Sequence, residues 1–191
     1  LGDVYKRQKH SDENTRPTAP GVFLSFEEKV LSNWLWSVVA AAVGAYGVIL
    51  GGVYTGQRRI LYFPDSECPS PRQSGVSEMA EVSLETDDGL SLVAWYHPPA
   101  GPALPTLVYF HGNAGNIGMR AHKVRPYLDA GFGVLLTTWR GYSCNPGKPS
   151  ESGFYHDGRA AMKFLKMAGV ASANIVLYGE SLGTGVAVHL A

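Results

Sequence analysis

Asn174-Ile175-Val176-Leu177-Tyr178-Gly179-Glu180-Ser181-Leu182-Gly183-Thr184-Gly185-Val186-Ala187-Val188-His189-Leu190-Ala191 is the stretch whose reading decides the fold of this 191-residue chain. Four apolar β-formers run up to Gly179, and a helical run opens at Leu182, so the segment reads as strand, sharp turn, helix. A G-x-S-x-G pentapeptide alone says little, because glycine and serine are common. Between a strand and a helix it acquires a mechanism: the turn is so tight that the serine backbone is strained. Small residues two before and two after then avoid collision with the neighbouring chain. Gly185 continues the small-residue run. Ser181 Oγ would project above the sheet edge, at a helix N-terminus that favours developing negative charge. The bland alternative is a structural turn with an idle serine, and the strand and helix flanks weigh against it.

Upstream, the same alternation of short β-rich and helical runs extends back to residue 75. Glu81-Val82-Ser83-Leu84-Glu85-Thr86 alternates apolar and polar, Asp87-Asp88-Gly89 supplies a turn, and 90–96 continues, which reads as a β-hairpin. Leu107-Val108-Tyr109-Phe110 is a buried strand bounded by Pro105 and Gly112. A helix over 120–130 turns Val124, Tyr127 and Leu128 inward and ends at Gly131; the next strand covers 133–139. A helix over 151–167 places Ala160, Ala161, Phe164 and Leu165 inward, with Gly169 as its stop. A hairpin followed by β-α-β-α-β-α argues for an α/β sheet that is largely parallel with an antiparallel start.

The second chemical element is His111-Gly112-Asn113-Ala114-Gly115-Asn116, at the end of the 107–110 strand. Acyl transfer needs two backbone N–H groups aimed at the developing oxyanion. One belongs to the residue after the nucleophile, Leu182; the other comes from a glycine-rich loop after the third strand, where Asn113 is the natural donor. His111 invites a reading as general base. Its place in a loop whose task is oxyanion geometry makes a structural, hydrogen-bonding histidine the better reading.

The N-terminal third is different. Residues 1–33 read as a polar tail, 34–54 as a transmembrane helix, 55–74 as a linker and 75–191 as the α/β domain. Trp34 to Tyr54 is twenty-one residues without a charge, about 30 Å of helix, the hydrocarbon thickness of a bilayer. Trp34, Trp36 and Tyr54 fit interfacial belts. A signal peptide has a shorter apolar core behind an early basic start. Gly47 and Gly51 form a small-xxx-small pair, better read as the ordinary abundance of glycine in such helices. Arg58 and Arg59 after the span outnumber Lys29 close before it and lean weakly toward a cytoplasmic domain. Sixteen basic residues balance sixteen acidic ones, which gives no electrostatic footprint for nucleic acid. Cys68 and Cys144 have no C-x-x-C spacing, so neither a metal site nor a disulfide framework is expected, and no cofactor is.

Taken together, Gln57-Arg58-Arg59-Ile60-Leu61-Tyr62-Phe63-Pro64-Asp65, the 111–116 motif, Arg140-Gly141-Tyr142, Gly147-Lys148-Pro149-Ser150-Glu151 and 179–183 resemble the membrane-anchored serine hydrolases of the α/β-hydrolase superfamily, the serine aminopeptidase-like group. The resemblance runs from about Arg58 to Ala191. It implies that Ser181 is the nucleophile, that Gly179 and Gly183 shape the nucleophile elbow, and that Asn113 and Leu182 supply the oxyanion N–H groups. One departure is visible. The group commonly reads Asp-Tyr-Arg-Gly-Tyr-Gly where this chain has Thr138-Trp139-Arg140-Gly141-Tyr142-Ser143, which places a serine at a permissive glycine position. In this fold the acid and then the histidine of the triad follow the nucleophile. Only His189 follows Ser181, eight residues along one helix, or about 12 Å, too far to reach it. With Leu1 in first place and a last residue inside a helix, the expectation is an α/β-hydrolase domain read in its N-terminal part only. Its triad acid and histidine would lie outside this chain, leaving the chain inactive alone. The expected activity is hydrolysis of an ester, thioester or amide in a small acyl or peptide substrate, with the bilayer as partner through 34–54. The alternative is a membrane-tethered, non-catalytic binding or scaffold protein of the same fold.

Overall fold

The computed structural model describes residues 26–191, which fall into two units, one ending at Gly52 and the other Val53–Ala191. Most of the expected polar tail therefore lies outside the described residues, and its last part, 26–33, is helical. Helix α1 (Phe26–Leu61) overruns the expected 34–54 span at both ends. No proline or clustered turn residues interrupt 55–61, and Arg58 and Arg59 in the last turn suit the negative end of the helix dipole. Over Lys29–Leu61 the helix is long and apolar enough to cross a membrane. The segment expected as a linker is already structured: β1 (Phe63–Pro64) pairs in parallel with β5 (Ala114–Gly115).

The main sheet begins with the expected hairpin, β2 (Ala80–Glu85) and β3 (Ser91–His97), antiparallel with Glu85 opposite Ser91. Thr86 Oγ1 accepts from the Leu90 N–H at 2.8 Å and closes the turn. After it come β4 (Thr106–Phe110), α2 (Ala121–Asp129), β6 (Gly133–Leu136), α3 (Glu151–Met167), β7 (Ile175–Gly179) and α4 (Leu182–Leu190). The strand order is β2-β3-β6-β4-β7. The β3–β6 pair is antiparallel, while β6 and β7 both run parallel to β4. This is the mixed sheet the alternating pattern predicts.

Two apolar clusters show how the sheet is covered. Leu84, Leu92, Val108, Phe110 and Leu135 pack with Phe154, Ala161 and Leu165 of α3 and Val186 of α4. Leu107, Tyr109, Val134 and Leu136 pack with Ala121, Val124 and Leu128 of α2. Successive residues of β4 and β6 thus feed opposite layers, as a period of two requires. All five residues of β4 are buried, the signature of a strand covered on both faces. At the edge, Val176 and Tyr178 of β7 remain exposed.

Three local details differ from the sequence reading. The strand expected over 133–139 ends at Leu136, whose pairing with Tyr109 is closed by the Thr137 N–H on the Tyr109 carbonyl at 3.1 Å; the Thr137 hydroxyl donates to the same oxygen at 2.8 Å. The helix expected from 120 starts at Ala121, after a 3-10 turn at Gly118–Arg120, and Tyr127 is only half-buried. Cys68 and Cys144, for which no disulfide was expected, are paired as one across 76 residues, with Cα atoms 5.6 Å apart.

Arg140 ties the hairpin to α3. Its Nε donates to Asp157 Oδ1 at 2.8 Å, its backbone N–H to Asp157 Oδ2 at 3.0 Å, and its two terminal nitrogens to Asp88 at 2.6 and 3.0 Å. Burial pushes the Asp157 carboxyl up, against the hydrogen bonds from Arg140. Removing one partner of such a buried pair strands the other charge. Asp157→Ala is expected to lower stability by about 3–5 kcal/mol in denaturant titration. Asp129→Ala, which removes an exposed partner of Arg125, should change it by less than about 1 kcal/mol.

Candidate active site

The chain leaves β7 at Gly179 and enters α4 at Leu182, so two residues must reverse its direction. Ser181 takes the strain, with φ 49° and ψ −112°. For a residue with a side chain this costs on the order of 1–3 kcal/mol and persists only where the surroundings enforce it. They do so by close approach. A Cβ on Gly183 would lie 2.1 Å from the Phe110 carbonyl oxygen, and one on Gly179 would lie 2.4 Å from Thr184 Cα. Both are backbone collisions, so only glycine fits at either position. The Glu180 N–H donates to the Phe110 carbonyl at 2.9 Å, and the Thr184 N–H to the Ser181 carbonyl at 2.9 Å. Ser181 itself is exposed.

The loop after β4 lies against this turn: a Cβ on Gly112 would be 3.6 Å from Ser181 Cβ. A chain of hydrogen bonds holds the loop from within. The Ile117 N–H donates to Ser143 Oγ at 2.9 Å, Ser143 Oγ meets Thr138 Oγ1 at 3.1 Å, and Thr138 Oγ1 meets His111 Nε2 at 3.0 Å. His111 Nδ1 reaches the Gly112 carbonyl at 2.6 Å, so in the consistent arrangement Nδ1–H donates and Nε2 accepts. In a trans peptide the carbonyl and the following N–H point in opposite directions. With the Gly112 carbonyl turned to the imidazole, the Asn113 N–H is directed away from it. Among the described residues, neither the Asn113 nor the Leu182 N–H donates to a protein acceptor. His111 is fully buried, and burial, then the charge of Arg120, pushes its pKa down to about 3. Such an imidazole is a structural donor and a poor base.

The departure at 143 is resolved by geometry. Ser143 adopts φ 49°, the left-handed conformation that glycine would supply, and its hydroxyl joins the His111 chain. Sequence reasoning missed Glu180, the variable residue of the pentapeptide. It accepts from Tyr109 Oη at 2.7 Å, pairs with Lys123 at 2.8 Å and lies 3.6 Å from Arg120 Nε. Burial raises its pKa, but the Lys123 and Tyr109 hydrogen bonds and Arg120 outweigh that and leave it lowered. A Cβ on Gly112 would lie 3.7 Å from Glu180 Oε1, so the carboxylate also buttresses the loop. No local pattern marks these partners, which come from β4 and from 120–123.

Of the residues named from sequence, Gly179, Ser181, Leu182 and Gly183 form the turn, and the loop carrying Asn113 lies against it. His189 is elsewhere: its ring stacks on Tyr155 with centroids 3.9 Å apart. Among the described residues, Ser181 Oγ has no hydrogen-bonded base. Asp87, Asp88 and His156 approach one another closely enough to suggest a cation. However, Arg140 holds Asp88 and Arg159 lies 2.8 Å from His156 Nδ1, so guanidinium groups already supply the positive charge. At Leu182, the residue after Ser181, a cleft of about 240 Å³ is lined by Tyr62, Glu151, Phe154, Tyr155, Leu182 and Val186.

No protein-family model matches the chain. It is 43% identical over 157 residues to an uncharacterized protein of Mycobacterium tuberculosis, covering 81% of this chain and 55% of that one. It is 33% identical over 153 residues to protein bem46 of Schizosaccharomyces pombe, covering 75% and 51%. With lysophosphatidylserine lipase ABHD12 of Danio rerio the identity is 28%, covering 69% and 39%. The chain thus spans about half the length, or less, of these relatives. An esterase of Pyrococcus furiosus superposes with a TM-score of 0.55 at 23% identity, over 68% of this chain and 50% of that one. An α/β hydrolase of Vibrio vulnificus gives 0.53 at 25% identity, over 62% and 43%. The fold is the α/β-hydrolase fold.

The depressed pKa of His111 has a consequence for stability. Between about 3 and the ordinary 6.5 the unfolded imidazole binds a proton that the folded one refuses, so this group's contribution is complete above 6.5 and is lost as pH falls. His111→Asn is expected to flatten the decline of melting temperature below pH 6.5, whatever it does to stability at neutral pH. An unchanged slope would contradict the assignment.

Proposed function

We propose that the protein is a serine hydrolase that cleaves an ester, thioester or amide through an acyl-enzyme on Ser181. One observation carries this reading: an exposed serine held at positive φ between strand and helix, facing a loop whose Asn113 N–H, like that of Leu182, has no protein acceptor among the described residues. A base takes the Ser181 proton as Oγ attacks the carbonyl carbon. The oxyanion then rests on the Asn113 and Leu182 N–H groups, and the tetrahedral intermediate expels the alcohol, thiol or amine. Water repeats the sequence on the acyl-enzyme and releases the acid. None of the described histidines bonds to Ser181, so the reading takes the base and its orienting acid from outside the described residues. The matched stretch covers 55% and 51% of two of these relatives, which leaves room for them.

The cleft beside Leu182 offers the acyl part of a substrate the side chains of Tyr62, Phe154 and Val186, with the Tyr155–Glu151 pair also in its lining. Helix α1 supplies a membrane anchor over 34–54, by its length and its lack of charge. Acyl lipids are the substrates a membrane-anchored enzyme meets, and the name of the Danio rerio relative supports that reading. The Cys68–Cys144 disulfide favours an oxidising side of the membrane, against the arginines that lean toward the cytoplasm.

In the full-length protein a fluorophosphonate probe should label Ser181, and Ser181→Ala should lose about 10⁴-fold or more in ester turnover with the melting temperature unchanged. A folded preparation that neither labels nor turns over would favour the scaffold alternative. The anchor should hold the protein in the membrane fraction through a carbonate wash, and deletion of 34–54 should release it. Recovery of the intact protein in the soluble fraction would refute the anchor.

A further inference from the structure

The segment that leaves α1 is stitched to the loop beside Ser181. Asn113 is gripped from two directions. Its side-chain Nδ2 donates to the Leu61 carbonyl at 2.7 Å, while its own carbonyl accepts from the Phe63 N–H at 3.0 Å and from Tyr142 Oη at 2.8 Å. The next residues continue the seam. Phe63 and Pro64 pair with Ala114 and Gly115, the Asp65 N–H reaches the Gly115 carbonyl at 3.4 Å, and Asp65 Oδ2 accepts from Asn116 Nδ2 at 2.7 Å. The Asp65 carbonyl accepts from the Ser143 N–H at 2.8 Å, and Cys68 is joined to Cys144. Ser143 is the same residue whose hydroxyl feeds the His111 chain.

We propose that residues 61–65 form a positioning strap for the oxyanion site, with Asn113 contributing its backbone N–H to the oxyanion and its side chain to the strap. This rests on the reading of Ser181 as a nucleophile. The physical case is one of missing restraint. The loop contains Gly112, Ala114 and Gly115, whose side chains, at most a methyl group, give it little packing of its own. His111 fixes the inner face of the Gly112–Asn113 peptide through the Gly112 carbonyl. The strap fixes the outer side through the Asn113 carbonyl and amide. A preorganised N–H stabilises charge because it does not reorient during the reaction. Slack on the outer side would therefore weaken the transition state and leave substrate binding alone.

The test uses the full-length protein and a soluble ester, with active sites counted by fluorophosphonate labelling. Wild-type labelling at Ser181 tests the nucleophile reading, and the variants test the strap. Asn113→Ala removes the amide that reaches Leu61 and keeps the N–H. Asp65→Ala cuts the tie to Asn116 and touches neither Ser181 nor Asn113. Both are expected to lower kcat per labelled site about tenfold or more, with KM within about twofold. If Asn113→Ala does not fold, Asp65→Ala carries the test alone. With wild type labelled, a kcat per labelled site within twofold of wild type in Asp65→Ala would overturn the proposal. So would a rise in KM at constant kcat, which would make the segment a binding surface.

Discussion

The contact between Gly183 and the carbonyl of Phe110 is the constraint from which the rest of the site follows. Where a Cβ would come within 2.1 Å of that oxygen, the start of α4 sits directly on the end of β4. The same carbonyl accepts from Glu180, so β4, the elbow and α4 converge on one peptide unit. With both ends of the turn pinned, Ser181 has no relaxed conformation to fall into. The strain is held by a strand buried on both faces, which gives the elbow an unyielding floor.

How much of this the sequence revealed depends on whether a feature is periodic. The hairpin and α3 were legible because their apolar residues recur at two or at three to four positions, and β4 and the strand before Ser181 because each is a short apolar run bounded by a glycine. Val108 and Phe110 turned to α3 while Leu107 and Tyr109 turned to α2, as alternation implies. What lay beyond such reading has no periodic signature. β6 ends at Leu136 although Thr137, Thr138 and Trp139 continue a run of β-formers. The extension of α1 to Leu61 escaped because Gln57, Arg58 and Arg59 end an apolar pattern without ending a helix. The disulfide escaped because proximity across 76 residues has no local signature.

The site was divided along the same line. Ser181, Gly179, Gly183, Leu182 and Asn113 belong to motifs whose spacing is itself the mechanism, and each stands at the turn or in the loop against it. The supports do not share that property. Glu180 occupies the freely chosen position of its pentapeptide, yet it joins the elbow to Tyr109 and Lys123. Ser143 looked like the loss of a glycine and proved to keep its backbone conformation while adding a hydroxyl to the chain that holds His111. A residue at positive φ can be kept there by what its side chain gains, and composition alone does not say which case applies.

The seam along 61–65 bears on how the molecule loses its shape. Asn113 reaches Leu61 across 52 residues, Asn116 reaches Asp65 across 51, and Tyr109 reaches Glu180 across 71. None of these ties is local, so no excised peptide would keep the arrangement, and no part of it can fray without opening the sheet end around it. Contacts of such long separation close only after much of the chain has condensed. Hydrogen-exchange protection of the bonded amides here, those of Phe63 and Ile117, should therefore resemble that of β4 more than that of an ordinary surface loop. In this molecule the elbow and the loop against it belong to the cooperative core.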